Sequence, residues 1–131
     1  KRLLSRWLLI VARGKSSETR YEVVARRAGF SLVRACPHTG RRHQIRVHLY
    51  SLGHPIVGDL RYGDSAQQQG YPRLMLTAVR LSLRLPSGAP LDLYAPPPQD
   101  FLGAAERRCG LASRVCSEAC SGLPSPSSGL Y

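Results

Sequence analysis

The sequence predicts a mixed α+β domain built on a largely antiparallel β-sheet, with one helix packed against the sheet. Three observations lead to this fold class. Two runs of strand-forming residues are separated by a two-residue turn, a helical period of apolar residues follows them, and further strand-like runs come later in the chain. Sequential strands joined by short turns form antiparallel pairs.

The first predicted element is a β-hairpin. Residues Tyr21 to Arg27 are rich in strand formers, and Phe30 to Cys36 alternates apolar with small or polar residues. Ala28-Gly29 lies between the two runs, and a two-residue loop that ends in glycine favours a tight turn. We therefore expect the two runs to pair.

A helix is predicted next, from Arg42 to Leu52. Three apolar residues recur at helical spacing and are expected to face a core: Ile45, Leu49 and Leu52. Thr39 is the expected N-terminal cap, and Gly53 with Pro55 is expected to end the helix.

A second pair of strands is predicted after a turn-rich connection. The run from Leu74 to Leu85 has strand character, and its leucines alternate with Arg80, Ser82 and Arg84, which we expect to face outwards. A Pro- and Gly-rich turn then leads to a short return strand from Leu91 to Tyr94.

The charge of the chain is unevenly distributed. The formal net charge is +11, and residues 1–61 carry 13 of the 19 basic residues but 3 of the 8 acidic ones. All basic residues except Lys1 and Lys15 are arginines, which pair bidentately with phosphate and stack on bases. This bias favours a nucleic-acid partner, and a solvated basic face is the alternative. No apolar run approaches the roughly 20 residues of a membrane-spanning helix.

The basic cluster at residues 38–48 is the main candidate site. On the predicted helix, Arg46 would project a fixed cation, and Arg41 and Arg42 would join the free N–H groups of the helix N-terminus as an anion site. No metal site is predicted, because His43 and His48 are five residues apart and no acidic residue lies between residues 23 and 58. A metal site in the tail is a weaker alternative that would use three cysteines: Cys109, Cys116 and Cys120.

An ordered series of motifs makes the sequence recognisable. T-G-R-R-H-Q-I-R-V-H stands at residues 39–48, L-G-H-P-I-V-G-D at 52–59 and Y-G at 62–63, with R-L-M-L-T-A at 73–78. This series resembles the C-terminal signature of the RluA-type family of RNA pseudouridine synthases, and the resemblance covers about residues 14–101.

The resemblance implies the pseudouridine synthase fold and the isomerisation of uridine to pseudouridine in structured RNA, either rRNA or tRNA, without a cofactor. It implies that Arg46 pairs with the catalytic aspartate of the family. Four residues are expected at the RNA: Arg41, Arg42, His43 and Gln44. Ile45 and Leu76 are expected to line the uridine pocket.

The segment that carries the catalytic aspartate in this family, of His-Arg-Leu-Asp type, does not occur in the 131 residues. Asp59 is expected to be structural. We therefore expect a lead-in over residues 1–13, the C-terminal half of a catalytic domain over 14–101, and a low-complexity disordered tail over 102–131. Such a chain would be inactive without its N-terminal half. The alternative is a non-catalytic RNA-binding module. The expected location is the cytoplasm of a bacterium, or a mitochondrion or plastid of a eukaryote.

Overall fold

The computed structural model describes residues 5–10 and 15–110, which form five strands and three helices. In chain order they are β1 (Ser5–Ile10), β2 (Ser17–Arg27), β3 (Phe30–Pro37), α1 (Gln44–Ser51), α2 (Ser65–Gln68), β4 (Arg80–Arg84), β5 (Pro90–Tyr94) and α3 (Gln99–Cys109). The chain divides into two compact units, Lys1–Leu76 and Thr77–Tyr131. The predicted α+β class is confirmed, and each described strand pair is antiparallel.

The first unit contains a three-stranded sheet in the order β1-β2-β3. The predicted hairpin is confirmed, with Arg27 opposite Phe30 and a bulge between Val23 and Ala25. Ala28 and Gly29 have φ values of 48° and 81°, so both turn residues are left-handed, as a type I′ turn requires. Strand β1 lies within the predicted lead-in segment, so Ser5–Ile10 of that segment belong to the sheet.

Helix α1 begins two residues later than predicted. His43 occupies the N-cap position with a φ of 55°, and its side chain makes no capping hydrogen bond. The prediction of Thr39 as the cap is wrong, because its hydroxyl bonds to the Glu18 N–H and to the Gln44 side chain instead. The C-terminus is as predicted: Gly53 has a φ of 78°, and the N–H groups of residues 53 and 54 close a Schellman motif.

The face that α1 buries differs from the predicted apolar stripe. Its buried residues are Gln44 and His48, whereas Leu52 is 37% exposed. The N-terminal end of β2 offers polar partners to this face, and the Ser17 Oγ lies 2.9 Å from the His48 Nε2. The helix therefore docks through hydrogen bonds, which an apolar period does not predict.

The connection from α1 to the end of the unit is held by hydrogen bonds of the backbone and of one side chain. The Met75 N–H donates to the Val57 carbonyl at 2.8 Å, and the Asp64 side chain caps α2 by accepting from the Ala66 N–H. Residues 74–79 form no strand, so the predicted strand from Leu74 is limited to β4.

The second unit contains the β4–β5 hairpin and α3. The predicted return strand is confirmed, but the leucine face is not buried: Leu81 and its cross-strand partner Leu93 are 48% and 50% exposed. Helix α3 covers 99–109, so the prediction of a disordered tail is wrong for residues 102–109. Residues 111–131 lie outside the described residues. No helix in the described part of the chain is long and apolar enough to cross a bilayer.

Candidate functional site

A cavity of about 270 Å³ lies between the N-terminal end of α1 and the end of the first unit. Its volume is close to the lower limit of roughly 300 Å³ for small-ligand sites, which suits an occupant of nucleobase size. Nine residues line it: Pro37, Thr39, Gly40, Arg41, His43, Gln44, Ile45, Arg46 and Leu76. The wall therefore combines apolar side chains with cationic and amide groups.

Gln44 fixes the loop that forms one side of this cavity. Its Oε1 accepts from the Thr39 hydroxyl at 2.6 Å and from the Arg41 N–H at 3.1 Å. Its Nε2 donates to the Glu18 carbonyl at 2.8 Å and to the Thr19 hydroxyl at 2.9 Å. These four bonds use both lone pairs and both protons of the amide, so Gln44 joins β2, the loop and α1.

Arg46 is held in a single orientation by Asp59. The Arg46 Nε and Nη2 donate to the two carboxylate oxygens of Asp59, each at 2.8 Å. The Asp59 Oδ1 also accepts from the N–H groups of Arg61 and Tyr62, and its side chain is fully buried. Hydrogen bonding from Arg46 and, more weakly, from these N–H groups lowers the pKa of Asp59 to about 2, against the opposing effect of burial. Asp59 is therefore a carboxylate throughout the physiological pH range.

The free edge of the Arg46 guanidinium is available for a ligand. Within the described residues, its Nη1 has no hydrogen-bond partner, while Arg46 itself lines the cavity. A guanidinium with one edge fixed can present the other to an anion without losing side-chain freedom on binding.

The Tyr62 ring links these cations. The guanidinium of Arg46 lies 5.0 Å from its centroid, and that of Arg61 lies 5.7 Å away. The Tyr62 hydroxyl is 3.1 Å from the His43 Nδ1. Burial, followed by the positive charges of Arg46, Arg61 and Arg42, lowers the pKa of His43. The imidazole is therefore neutral at pH 7 and offers hydrogen bonds instead of charge.

Gly58 lies where the backbone closely approaches the segment that leads to Leu76, a residue of the cavity lining. Gly58 has a φ of 78°, and a Cβ at this position would overlap the Arg73 carbonyl. The Gly58 N–H donates to the Gln68 Oε1 at 2.6 Å. The close approach of the backbone around Gly58 and Arg73 sets the path of the segment that ends at Leu76.

The structure brings six of the seven predicted site residues to this one cavity: Arg41, His43, Gln44, Ile45, Arg46 and Leu76. Arg42 is exposed and does not line it. One role needs correction. Gln44 was predicted to contact RNA, but its amide is buried and fully used by the protein, so it positions the loop.

Sequence reasoning missed Tyr62 as the centre of the cation cluster. A signal was present, since an aspartate often accepts from the N–H groups two and three residues further on. Asp59 does so with Arg61 and Tyr62, and the Tyr62 ring contacts the guanidinium groups of Arg46 and Arg61. Of the three cysteines considered for a metal, Cys109 is buried on α3, and the other two lie outside the described residues.

Comparisons with known proteins identify several similar chains. Residues 10–51 match the family model described as RNA pseudouridylate synthase. The chain is 45% identical to the ribosomal large subunit pseudouridine synthase C of Vibrio cholerae serotype O1, with 63% of this chain and 28% of that protein covered. It is 43% identical to the dual-specificity RNA pseudouridine synthase RluA of the same organism, with 62% and 36% covered.

A solved structure gives the same result. The chain is similar to human RNA pseudouridylate synthase domain containing 1, with a TM-score of 0.61 and 33% identity, over 86% of this chain and 49% of that chain. These comparisons confirm the predicted resemblance and the predicted fold. The chain spans 28% and 36% of the length of the two curated relatives.

Proposed function

We propose that this chain, as a member of the RluA-type family of RNA pseudouridine synthases, forms the arginine-bearing side of a site that receives a uridine from structured RNA. The observation that carries this proposal is the cavity itself. It is of nucleobase size, and its lining includes Arg46 with one fixed and one free guanidinium edge. Enzymes that modify a base in structured RNA flip it out of the stack into a pocket of this kind.

The reaction is an isomerisation that needs no cofactor. The bond between C1′ and N1 of the uridine breaks, the uracil rotates, and a bond forms between C1′ and C5. The C5 proton is lost and N1 gains one, so the atoms balance. The part of Arg46 is to orient a carboxylate and keep it ionised through the free Nη1 edge, since a nearby cation lowers the pKa of an acid.

The acid of this reaction is not Asp59. Its two oxygens accept four hydrogen bonds, and its side chain has no exposed surface. It cannot approach the ribose of a bound uridine without breaking the Arg46 pair. We place the catalytic aspartate on a segment other than the described residues, such as an N-terminal half of the same domain. The 131 residues alone therefore bind RNA without isomerising uridine.

The same observation favours the second candidate, a non-catalytic RNA-binding module. The two candidates differ in the outcome of a tritium-release assay with RNA labelled at C5 of uridine. Neither predicts release by this chain alone. Release by a polypeptide that adds an aspartate-bearing segment upstream supports the synthase, and its absence supports the binding module. Release by the 131 residues alone contradicts the role assigned to Asp59.

RNA binding is tested through Arg41, which is exposed and lines the cavity. Arg41→Ala should weaken binding of a structured RNA roughly five- to tenfold at 0.1 M salt and reduce the slope of log affinity against log salt by about one, because one phosphate contact is lost. Arg27→Ala, an exposed arginine in the β2–β3 hairpin, is the matched control and should leave both quantities unchanged. Equal losses for the two variants would show that binding is non-specific attraction to a basic chain.

A further inference from the structure

Tyr50 is a large aromatic side chain on the exposed face of α1. It is 53% exposed, although tyrosine commonly buries its ring. Among the described residues, its ring contact is with Tyr62, at 6.1 Å between centroids and an interplanar angle of 46°. Its hydroxyl makes no hydrogen bond to a described residue. The Tyr50 ring therefore makes few contacts with the described part of the protein.

The neighbours of Tyr50 connect it to the cavity. The Tyr62 ring lies between Tyr50 and two residues of the cavity wall, His43 and Arg46. The guanidinium of Arg61, an exposed residue, lies on the same Tyr62 ring at 5.7 Å. A path of ring contacts thus leads from the cavity to the protein surface.

The charge along this path is positive. Arg46 and Arg61 both contact Tyr62, and the acid in contact with Arg46 is the buried, ion-paired Asp59. Exposed aromatic rings with arginines nearby are a common surface for single-stranded nucleotides, because the base stacks on the ring while the cation attracts the phosphate.

We propose that Tyr50, together with Arg61 on the neighbouring Tyr62 ring, is a stacking platform for a nucleotide that flanks the uridine in the cavity. This inference rests on the proposed function and adds a specificity-determining residue to it. An unpaired base next to the extruded uridine loses its stacking partner in the RNA, and the Tyr50 ring replaces that partner. Because every base has a π-face, the platform favours an unpaired neighbour over a paired one without reading its sequence.

The test uses the 131-residue chain and a fluorescein-labelled RNA hairpin whose loop contains one uridine flanked by adenines. Tyr50→Leu keeps the bulk and helix propensity of the residue but removes the aromatic ring, and Tyr50→Phe keeps the ring. We expect Tyr50→Leu to weaken binding about tenfold and Tyr50→Phe to bind within about twofold of the wild type. Tyr94→Ala is the control, since Tyr94 on β5 is similarly exposed at 44%. It should leave the affinity unchanged.

A second RNA series assigns the loss to stacking. In this series each of the two flanking adenines is replaced in turn by an abasic nucleotide. The wild-type chain should bind more weakly when the replacement is at one of the two positions. The same replacement should have no further effect on Tyr50→Leu, and the slope against salt should stay that of the wild type. If Tyr50→Leu and the abasic replacement lower the RNA affinity additively at both positions, the proposal is overturned.

Other outcomes separate this inference from the proposed function. If Arg41→Ala weakens binding while Tyr50→Leu does not, the platform is wrong and the cavity proposal stands. If the wild-type chain does not bind the hairpin, or if neither variant differs from it, both proposals fail. If Tyr50→Leu converts a dimer into a monomer in sedimentation without changing RNA affinity, this face is a protein interface and the platform is overturned.

Discussion

At the scale of single residues, the Arg46–Asp59 pair decides what the site can do. The carboxylate is fully buried and the guanidinium is 18% exposed, with both bonds at 2.8 Å. Burial of a charge is costly unless its partners are complete, and Asp59 has four. The pair therefore converts a flexible arginine into a fixed group, and its Nη1, which has no hydrogen-bond partner among the described residues, can bind a ligand at little cost in entropy.

Asp59→Asn should destabilise the protein by about 3 kcal/mol, because Arg46 would lose its anionic partner in a largely buried setting. The matched control is Asp92→Asn, in which an aspartate also loses an arginine, Arg80. The Asp92 side chain is 51% exposed, so its loss should cost much less stability than the loss of Asp59. Urea unfolding measures both free energies. Similar costs for the two variants would contradict the structural role of Asp59.

The same pair predicts acid sensitivity. The pKa of Asp59 falls from 3.8 to about 2 on folding, so the unfolded chain binds its proton first as the pH decreases. The stabilisation is complete above pH 4 and is lost as the pH falls towards 2, with a total of about 2 kcal/mol. The free energy of unfolding should therefore decline less steeply over this range in Asp59→Asn than in the wild type.

At the scale of elements, the positions of the turns could be predicted from the sequence. The hydrogen bonds that dock α1 against β2 could not. The turns at Gly29 and Gly53 were predicted correctly because each position needs a left-handed backbone, which glycine adopts without strain. The start of α1 was misplaced because Thr39 bonds to Glu18 and Gln44, which are distant in the sequence or inside the helix. Capping preference depends on neighbouring residues alone, and here the Thr39 side chain makes tertiary hydrogen bonds instead of capping the helix.

Gly58 gives the sharpest test at this scale. Gly58→Ala should cost more than about 3 kcal/mol, since the methyl group would overlap the Arg73 carbonyl and displace the segment that carries Leu76. Gly29→Ala is the control because its φ of 81° is similar but nothing lies within 4 Å of the added carbon. That change should cost about 1–2 kcal/mol from backbone strain alone. Equal midpoints in thermal unfolding would show that the close approach does not matter.

At the scale of the whole molecule, the residues of the cavity could be predicted from the sequence. The exposure of the β4–β5 hairpin and the presence of α3 could not. The order of motifs assigned Arg46, Ile45 and Leu76 to one site, and the structure places all three on one cavity. The exposure of the leucine face on β4–β5 was missed because alternation shows which residues share a face and does not show what covers it. The helix at Gln99–Cys109 was missed because its buried residues, Ala104, Ala105 and Cys109, are small, and a search for large apolar residues passes over them.

Photo-crosslinking tests the central claim, that the cavity of this chain receives a uridine of structured RNA. An RNA hairpin with 4-thiouridine as its single unpaired uridine is bound to the chain and irradiated, and the crosslinked residues are identified by mass spectrometry. We expect adducts within residues 37–46 or at Leu76, and their yield should be reduced by Arg41→Ala and unchanged by Arg27→Ala. Adducts confined to the β2–β3 turn or to the β4–β5 hairpin would contradict it.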